Sequence, residues 1–460
     1  HGGTLNDIYC TYSTDGGKTW GNVVKLIENG NNDTGVKNCR YPSGVFYYPT
    51  NASSFLNDAF IAVSGSNTIG LSSSPTNVTG WAENYYASAR MNGTDKYIEY
   101  ISIGNDSMQL FPRIGMTISN NGIIHVLGVD TLNKMPVLNT AKFNPYLNKF
   151  DWSKSVIKLN KKIRSLDIGM AWSEDGATGY IILNGRILND TVNGNIIYND
   201  WGTIMPLVYK TTDTGNTWKL FPIDISQIDA VTSHLVKPNS KPAVIELGEA
   251  VVDANNNLHL FCGVYTLSEI DSTSIKYWTP GSIYDIYTTS DSTFDVIYIE
   301  TLYSSIIPEN NNILPDVGWD HRIQASRTKD GNKVFCTWLD SYSTFSLEFP
   351  DIIGWGLDVN TKLCTPINNF TENTQFDGAS SEYNHFIYTS EKVLFDNNFY
   401  IIPTTTTFFS NVDEPVLHFF FDGVKFHKST FYPQNVKSLN KSNLTISKPY
   451  PNPCKDYCQL

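Results

Sequence analysis

The sequence predicts an all-β fold, a β-propeller built of four-stranded blades. Three observations lead there. Amphipathic helical periodicity is almost absent: Ile225 to Val236 is the one candidate, placed in a loop or a single helix. Short β-branched and aromatic runs alternate instead with Asn/Gly/Asp turns. Two families of hairpin turn interleave, about two hairpins per 60–75 residues, and four strands per repeat is the size of a propeller blade.

The first family is defined by Tyr12-Ser13-Thr14-Asp15-Gly16-Gly17-Lys18-Thr19-Trp20 and Lys210-Thr211-Thr212-Asp213-Thr214-Gly215-Asn216-Thr217-Trp218. Both read Ser/Thr-x-Asp-x-Gly-x-Thr-Trp. In such a turn the aspartate accepts amide hydrogen bonds from its own loop, glycine takes a positive φ, and tryptophan packs back into the blade. Weaker copies end at Trp81, Trp152, Phe294, Leu363 and Phe426, so successive anchors lie 61, 71, 66, 76, 69 and 63 residues apart. The second family is a polar turn between two apolar strands: Asn120-Asn121-Gly122, Asn255-Asn256-Asn257, Asp330-Gly331-Asn332 and Asp396-Asn397-Asn398.

Counted this way, residues 40–430 hold six complete units, and 5–27 supply only the outer hairpin of another. The expected ring is seven-bladed with its first blade incomplete in this sequence; a six-bladed ring closed by the 5–27 hairpin is the alternative. The propeller spans 1–432, residues 433–447 read as a linker, and 448–460 as the start of a further small domain. Prolines 449, 451 and 453 remove ladder donors, so that stretch is expected to run extended. The chain opens at His1-Gly2-Gly3, which is expected of an interior piece of a longer precursor.

Composition limits the function classes. The chain has 460 residues, with 33 Lys and Arg against 45 Asp and Glu, a net charge of −12. That balance opposes nucleic-acid binding, which needs a basic face. No apolar run reaches the ~18 residues of a membrane-spanning helix. Seven cysteines show no Cys-x-x-Cys pairing, so no zinc site is expected; Cys262 and Cys336 read as small buried hydrophobes. His125 and His259 read as half-buried hairpin residues, and Asp271 and Asp291 as turn acids without a calcium loop. No cofactor is expected.

The Asp15 and Asp213 turns resemble the Asp-box, or bacterial neuraminidase repeat, of sialidases and many secreted propellers. The resemblance implies structural roles for Asp15, Trp20, Asp213 and Trp218, at the outer rim. The tail Lys448-Pro449-Tyr450-Pro451-Asn452-Pro453 resembles the opening of the C-terminal sorting domain of Bacteroidota proteins exported by the type IX secretion system. It implies an extracellular or cell-surface protein that meets the outer-membrane secretion machinery through its tail. Cys454 and Cys458 depart from that pattern.

Chemistry in a propeller gathers at the channel mouth, where inner strands begin. Those strands are expected near 40–48, 113–118, 167–172, 246–252, 322–326 and 385–389. At their starts stand Arg40, Arg113, Asp167, Glu246, Glu249, Arg322, Glu382, Tyr383 and His385, the candidate ligand-binding set. Only seven arginines exist, and three fall at equivalent blade positions, where converging forks would bind a carboxylate. This looks like a sialidase, whose arginine triad holds the substrate carboxylate; Arg40, Arg113 and Arg322 would form it, with Tyr383 as nucleophile and Glu246 as its base. The motif Phe111-Pro112-Arg113-Ile114-Gly115 follows an Asp-box rather than preceding the first one. The reading favoured is therefore a non-catalytic glycan- or protein-binding or structural module. A sialidase-like exo-glycosidase and a rigid subunit of a surface assembly are the alternatives.

Overall fold

The computed structural model describes residues 7–432 apart from 14–18, 29–36, 50–51, 70–80, 102–108, 111–114, 131–134, 158–161, 193–194, 199–202, 271–274, 305–319, 343–346, 348, 379–383 and 409–416. Short antiparallel strands dominate. Among the described residues the two α-helices, Phe55–Asp58 and Asp229–Thr232, are four residues each. Neither is long enough to bury a helical face, as the missing 3.6 periodicity requires.

The strands form consecutive antiparallel meanders around a common channel, a β-propeller. Blade A holds Lys37–Tyr47, Phe60–Ile69, Trp81–Arg90 and Tyr97–Ile101. Blade B holds Met116–Ile118, Ile123–Asp130, Met135–Asn144 and Lys149–Val156, with Gln109–Leu110 pairing beside its inner strand. Blade C runs through Lys162–Trp172, Gly179–Val192, Met205–Thr211 and Lys219–Phe221. Blade D comprises Pro242–Val252, Leu258–Ile270, Ile275–Thr288 and Phe294–Leu302. Blade E comprises Gln324–Thr328, Lys333–Asp340, Asp351–Asp358 and Asn368–Asn369.

The last unit, blade F, is broken across its width. Phe386–Thr389, Thr404–Phe408 and Leu417–Phe421 form one three-stranded piece. Lys392–Asp396, Phe399–Ile401 and Lys425–His427 form another, which joins blade E through a parallel pairing of Arg327 with Lys392. A separate hairpin, Ile8–Cys10 with Val24–Ile27, packs on blade A. In blades A to E the chain runs from the channel outward, which is the order of their pairings.

Blades are held face to face by apolar side chains of opposite strand parity. Between C and D, Ile182, Val208 and Phe221 meet Val244, Leu260 and Ile286. Between D and E, Phe261 and Ile283 meet Trp338 and Trp355. Cys262 and Cys336 are buried thiols in these layers. His125 and His259 are fully buried, not half-buried as alternation alone implied, because both of their faces meet a neighbour. His125 stacks on Trp172 of the next blade at 3.5 Å, and burial lowers its pKa to about 3.

The outer anchors Trp152, Trp218, Phe294 and Phe426 lie in or next to an edge strand of their blades, while Leu363 lies in the link between Asp351–Asp358 and Asn368–Asn369. Trp81 departs from the series. It opens the third strand of blade A, and the outer turn there is Asn92-Gly93-Thr94, with Gly93 at φ +84°.

Candidate functional site

The inner strands of blades A to F surround a cavity of about 1520 Å³. Its lining mixes aromatic rings (Tyr47, Tyr48, Trp172, Tyr388, Tyr400) with Glu174, Glu249, Lys329 and Lys392. The inner strands begin at one mouth of this channel and turn back at the other.

At the first mouth stands Arg322. Its Nε lies 3.1 Å from Asp320, and its guanidinium carbon sits 4.3 Å from the centre of the Phe386 ring in blade F. Its backbone is at φ +48°, a conformation non-glycine residues adopt only when their surroundings impose it. The surroundings are a buried polar cluster. The His321 amide donates to Glu246 Oε2 at 2.9 Å, and His321 Nδ1 lies 2.8 Å from Glu246 Oε1. Tyr265 donates its hydroxyl to the same carboxylate, and His321 Nε2 reaches the Ser304 carbonyl at 3.2 Å. Burial alone would raise the Glu246 pKa and lower that of His321. Their mutual attraction reverses both, so the carboxylate is held low and the imidazole high. The pair is an ion pair within the wall between blades D and E.

Glu246 is therefore not a channel-mouth ligand group. Its tyrosine partner is Tyr265, buried with it. Glu249, three residues on, does line the cavity and accepts the Ala325 amide at 3.1 Å. Asp167 stands half-buried at a bulge of the blade C inner strand, its Oδ1 taking the Ile168 amide at 2.9 Å. His385 is buried, and that burial lowers its pKa to about 4, so it is neutral at pH 7. Arg40 lies on the inner strand of blade A opposite Ser66. Arg113, Glu382 and Tyr383 lie outside the described residues, as does Asp15. Convergence of three arginines is thus not a feature of the described residues.

The Asp213 turn joins the two outermost strands of blade C. Asp213 Oδ1 accepts the Thr217 amide at 2.8 Å and the Thr211 hydroxyl at 2.7 Å, and Oδ2 accepts the Thr217 hydroxyl at 2.6 Å. Those bonds lower its pKa to about 2, the Thr217 hydroxyl first. Gly215 takes φ +88°, and Trp218 donates Nε1 to its carbonyl at 3.0 Å while meeting Trp172 edge-on. Trp20, which the sequence placed in the equivalent packed position, is exposed.

The opposite mouth carries a charged cluster that the sequence reading missed. Arg327, buried, donates Nη2 to Glu174 at 2.8 Å and Nη1 to the Val252 carbonyl at 3.1 Å, and its Nε lies 3.3 Å from Glu391. Lys392 reaches the other Glu174 oxygen at 2.6 Å. Blades C, D, E and F are tied together by these four side chains and one carbonyl. A sequence signal existed: Ser119-x-Asn121-Gly122, Ser173-x-Asp175-Gly176 and Thr328-x-Asp330-Gly331 share one pattern, with all three glycines near φ +70°. The second copy, which carries Glu174, has no Asn-rich run in its flanks to mark it.

No family model matches this chain, and no curated protein matches it. Among solved structures, an ulvan lyase of polysaccharide lyase family 25 is similar at 9% identity and TM-score 0.35, over 75% of this chain and 77% of that one. A mutant Trypanosoma rangeli sialidase with trans-sialidase activity is similar at 11% identity and TM-score 0.34, over 79% and 52%. A Penicillium chrysogenum α-L-arabinanase is similar at 6% identity and TM-score 0.36, over 84% and 98%. The propeller assignment stands on the strand order described above.

Proposed function

We propose that this chain is a glycan-binding β-propeller that works outside the cell and seats a carboxylate-bearing sugar at the channel mouth beside Arg322. The observation that carries the reading is the preset guanidinium, fixed by Asp320, the Phe386 ring and a strained backbone before any ligand arrives. A planar fork held in advance loses little freedom on meeting a carboxylate. Phe386, against which the guanidinium lies, supplies a flat apolar surface on which a sugar ring packs.

Binding rather than hydrolysis is supported by the position of Glu246. A carboxylate held by Tyr265 and His321 within the wall leaves the proposed base occupied. Export belongs to the same proposal and rests on the tail motif Tyr450-Pro451-Asn452-Pro453 after a polar linker, which resembles a type IX sorting signal. Under it, the secretion machinery of the outer membrane is the tail's partner.

The test is calorimetric titration with uronic-acid oligosaccharides and with neutral oligosaccharides of equal length. Acidic ligands should bind more tightly. Arg322→Ala should weaken them about 10- to 100-fold, the range for a charged hydrogen bond worth about 1.5–3 kcal/mol. Equal binding of both sets, or indifference to the substitution, would remove Arg322 from the site.

A further inference from the structure

Several lysines of this acidic chain pair with carboxylates. Lys210 reaches Asp291 at 2.8 Å, Lys333 reaches Asp358 at 2.9 Å and Lys392 reaches Glu174 at 2.6 Å. Lys237 is placed differently. Its Nζ sits 3.6 Å from the centre of the Trp278 ring, and among the described residues no carboxylate pairs with it. Trp278 is itself 41% exposed, whereas Trp338 and Trp355 of the neighbouring blade are fully buried.

The backbone holds this pair in place. Lys237 opens the turn Lys237-Pro238-Asn239-Ser240, in which the Ser240 amide donates to the Lys237 carbonyl at 3.3 Å and Asn239 takes φ +62°. Proline second and a positive-φ residue third is the pattern of a stiff type II turn. Both flanks of the turn are fastened to the second strand of blade D. The Val236 amide donates to Thr266 Oγ1 at 2.8 Å, and the Lys241 carbonyl accepts the Leu267 amide at 2.9 Å. Pro242 pairs with Thr266, and Thr266 with Trp278, so the three stand abreast where the inner strand of blade D begins. That is the mouth at which Arg322 stands. Trp278 belongs to the third strand, about 10 Å outward of the inner one at the usual strand spacing. Tyr277 packs toward blade E, so the alternate residue Trp278 faces the other side of blade D, away from the wall that carries Arg322.

We propose that Lys237 and Trp278 form a second glycan contact on blade D, for a uronic-acid residue of an acidic polysaccharide. The ammonium group fixes the plane of the indole, and the exposed part of the ring is a platform on which a sugar ring stacks. The same ammonium keeps N–H donors for the carboxylate that a uronic acid carries and a neutral hexose lacks. A net charge of −12 repels polyanions from the molecule as a whole, so an acidic chain is held where a cation and an open ring stand together. The contact rests on its own side chains and does not require the Arg322 site.

Calorimetric titration of the chain with hexagalacturonate, and with maltohexaose as the neutral probe, tests it. Arg322→Ala should leave a saturable site that prefers hexagalacturonate. Adding Trp278→Ala to that variant should weaken the remaining site about 10-fold, and Trp278→Phe, which keeps an aromatic face, should weaken it less. Lys237→Gln should weaken hexagalacturonate about 10-fold while leaving maltohexaose unchanged, and it stands as the check should Trp278→Ala unfold the protein. Affinity in the Arg322→Ala background that neither substitution changes overturns the proposal, as does equal binding of the two probes there. Complete loss of binding in Arg322→Ala alone also overturns it, since one site then accounts for all the affinity. Binding lost with Trp278→Ala but untouched by Arg322→Ala supports this contact and removes the other.

Discussion

His259 has the surroundings with the clearest pH consequence. Its Nδ1 lies 2.7 Å from Asp285 and its Nε2 3.5 Å from Asp253, and the ring stacks on Tyr287, all within blade D. Burial works against the charged imidazole, but the two carboxylates outweigh it, with Asp285 foremost, and raise the pKa to about 9. A raised folded-state pKa contributes stability that is complete below the unfolded value of about 6.5 and is lost as pH rises through about 9. The Tm should therefore fall between pH 7 and 9.5, and His259→Gln should flatten that fall while lowering the Tm at pH 6. An unchanged slope in the variant would contradict the assignment. Glu246→Gln removes one member of a buried ion pair and strands the His321 charge, a loss of about 3–5 kcal/mol by the usual measure of such deletions. Chemical denaturation should show it as a lower midpoint.

Turns decide how neighbouring blades register. Gly331 sits at φ +68°, and a Cβ there would come 2.6 Å from the Ala254 amide nitrogen, the atom that donates to the Gly331 carbonyl across the D–E junction. Gly331→Ala should cost more than about 1 kcal/mol, since the backbone is strained and the contact is with main chain that cannot rotate away. The Asp213 turn works within one blade. Asp213→Ala should speed exchange of the Thr217 amide while leaving ligand binding intact, because the turn lies at the rim. In the wild type the same loosening should appear as pH falls from about 4 toward about 2, where the carboxylate is protonated.

The binding reading has a direct check on sialosides. Purified protein should give no turnover of a fluorogenic sialic-acid substrate. Clear turnover lost on Arg113→Ala would replace the binding-module reading with the glycosidase one. The export proposal makes 433–460 a separate segment, so removing it should leave the Tm unchanged. Intact-mass analysis of secreted and cell-associated forms tests the export proposal. Recovery of the protein only inside the cell would end it.

Local chemistry was readable in the linear chain. A Thr-x-Asp-x-Gly-x-Thr-Trp run closes its turn with its own amides, so Asp213 needed no distant partner to be recognised. Inner strands were placed close to where they lie, because period-2 burial and Asn/Gly turns are set within a few residues. What the chain order could not disclose were contacts between side chains far apart in sequence. Glu246 and Arg322 both stood at strand starts as charged residues of equal promise. Strand pairing inside blade D, which set Tyr265 beside Glu246, and packing against blade E, which brought His321 onto it, turned one into buried framework and left the other facing Phe386. Arg327 likewise read as a strand residue until closure of the ring set it against Glu174, 153 positions earlier. Turn geometry is a property of neighbours along the backbone. The solvation and pairing of a charge depend on everything folded around it.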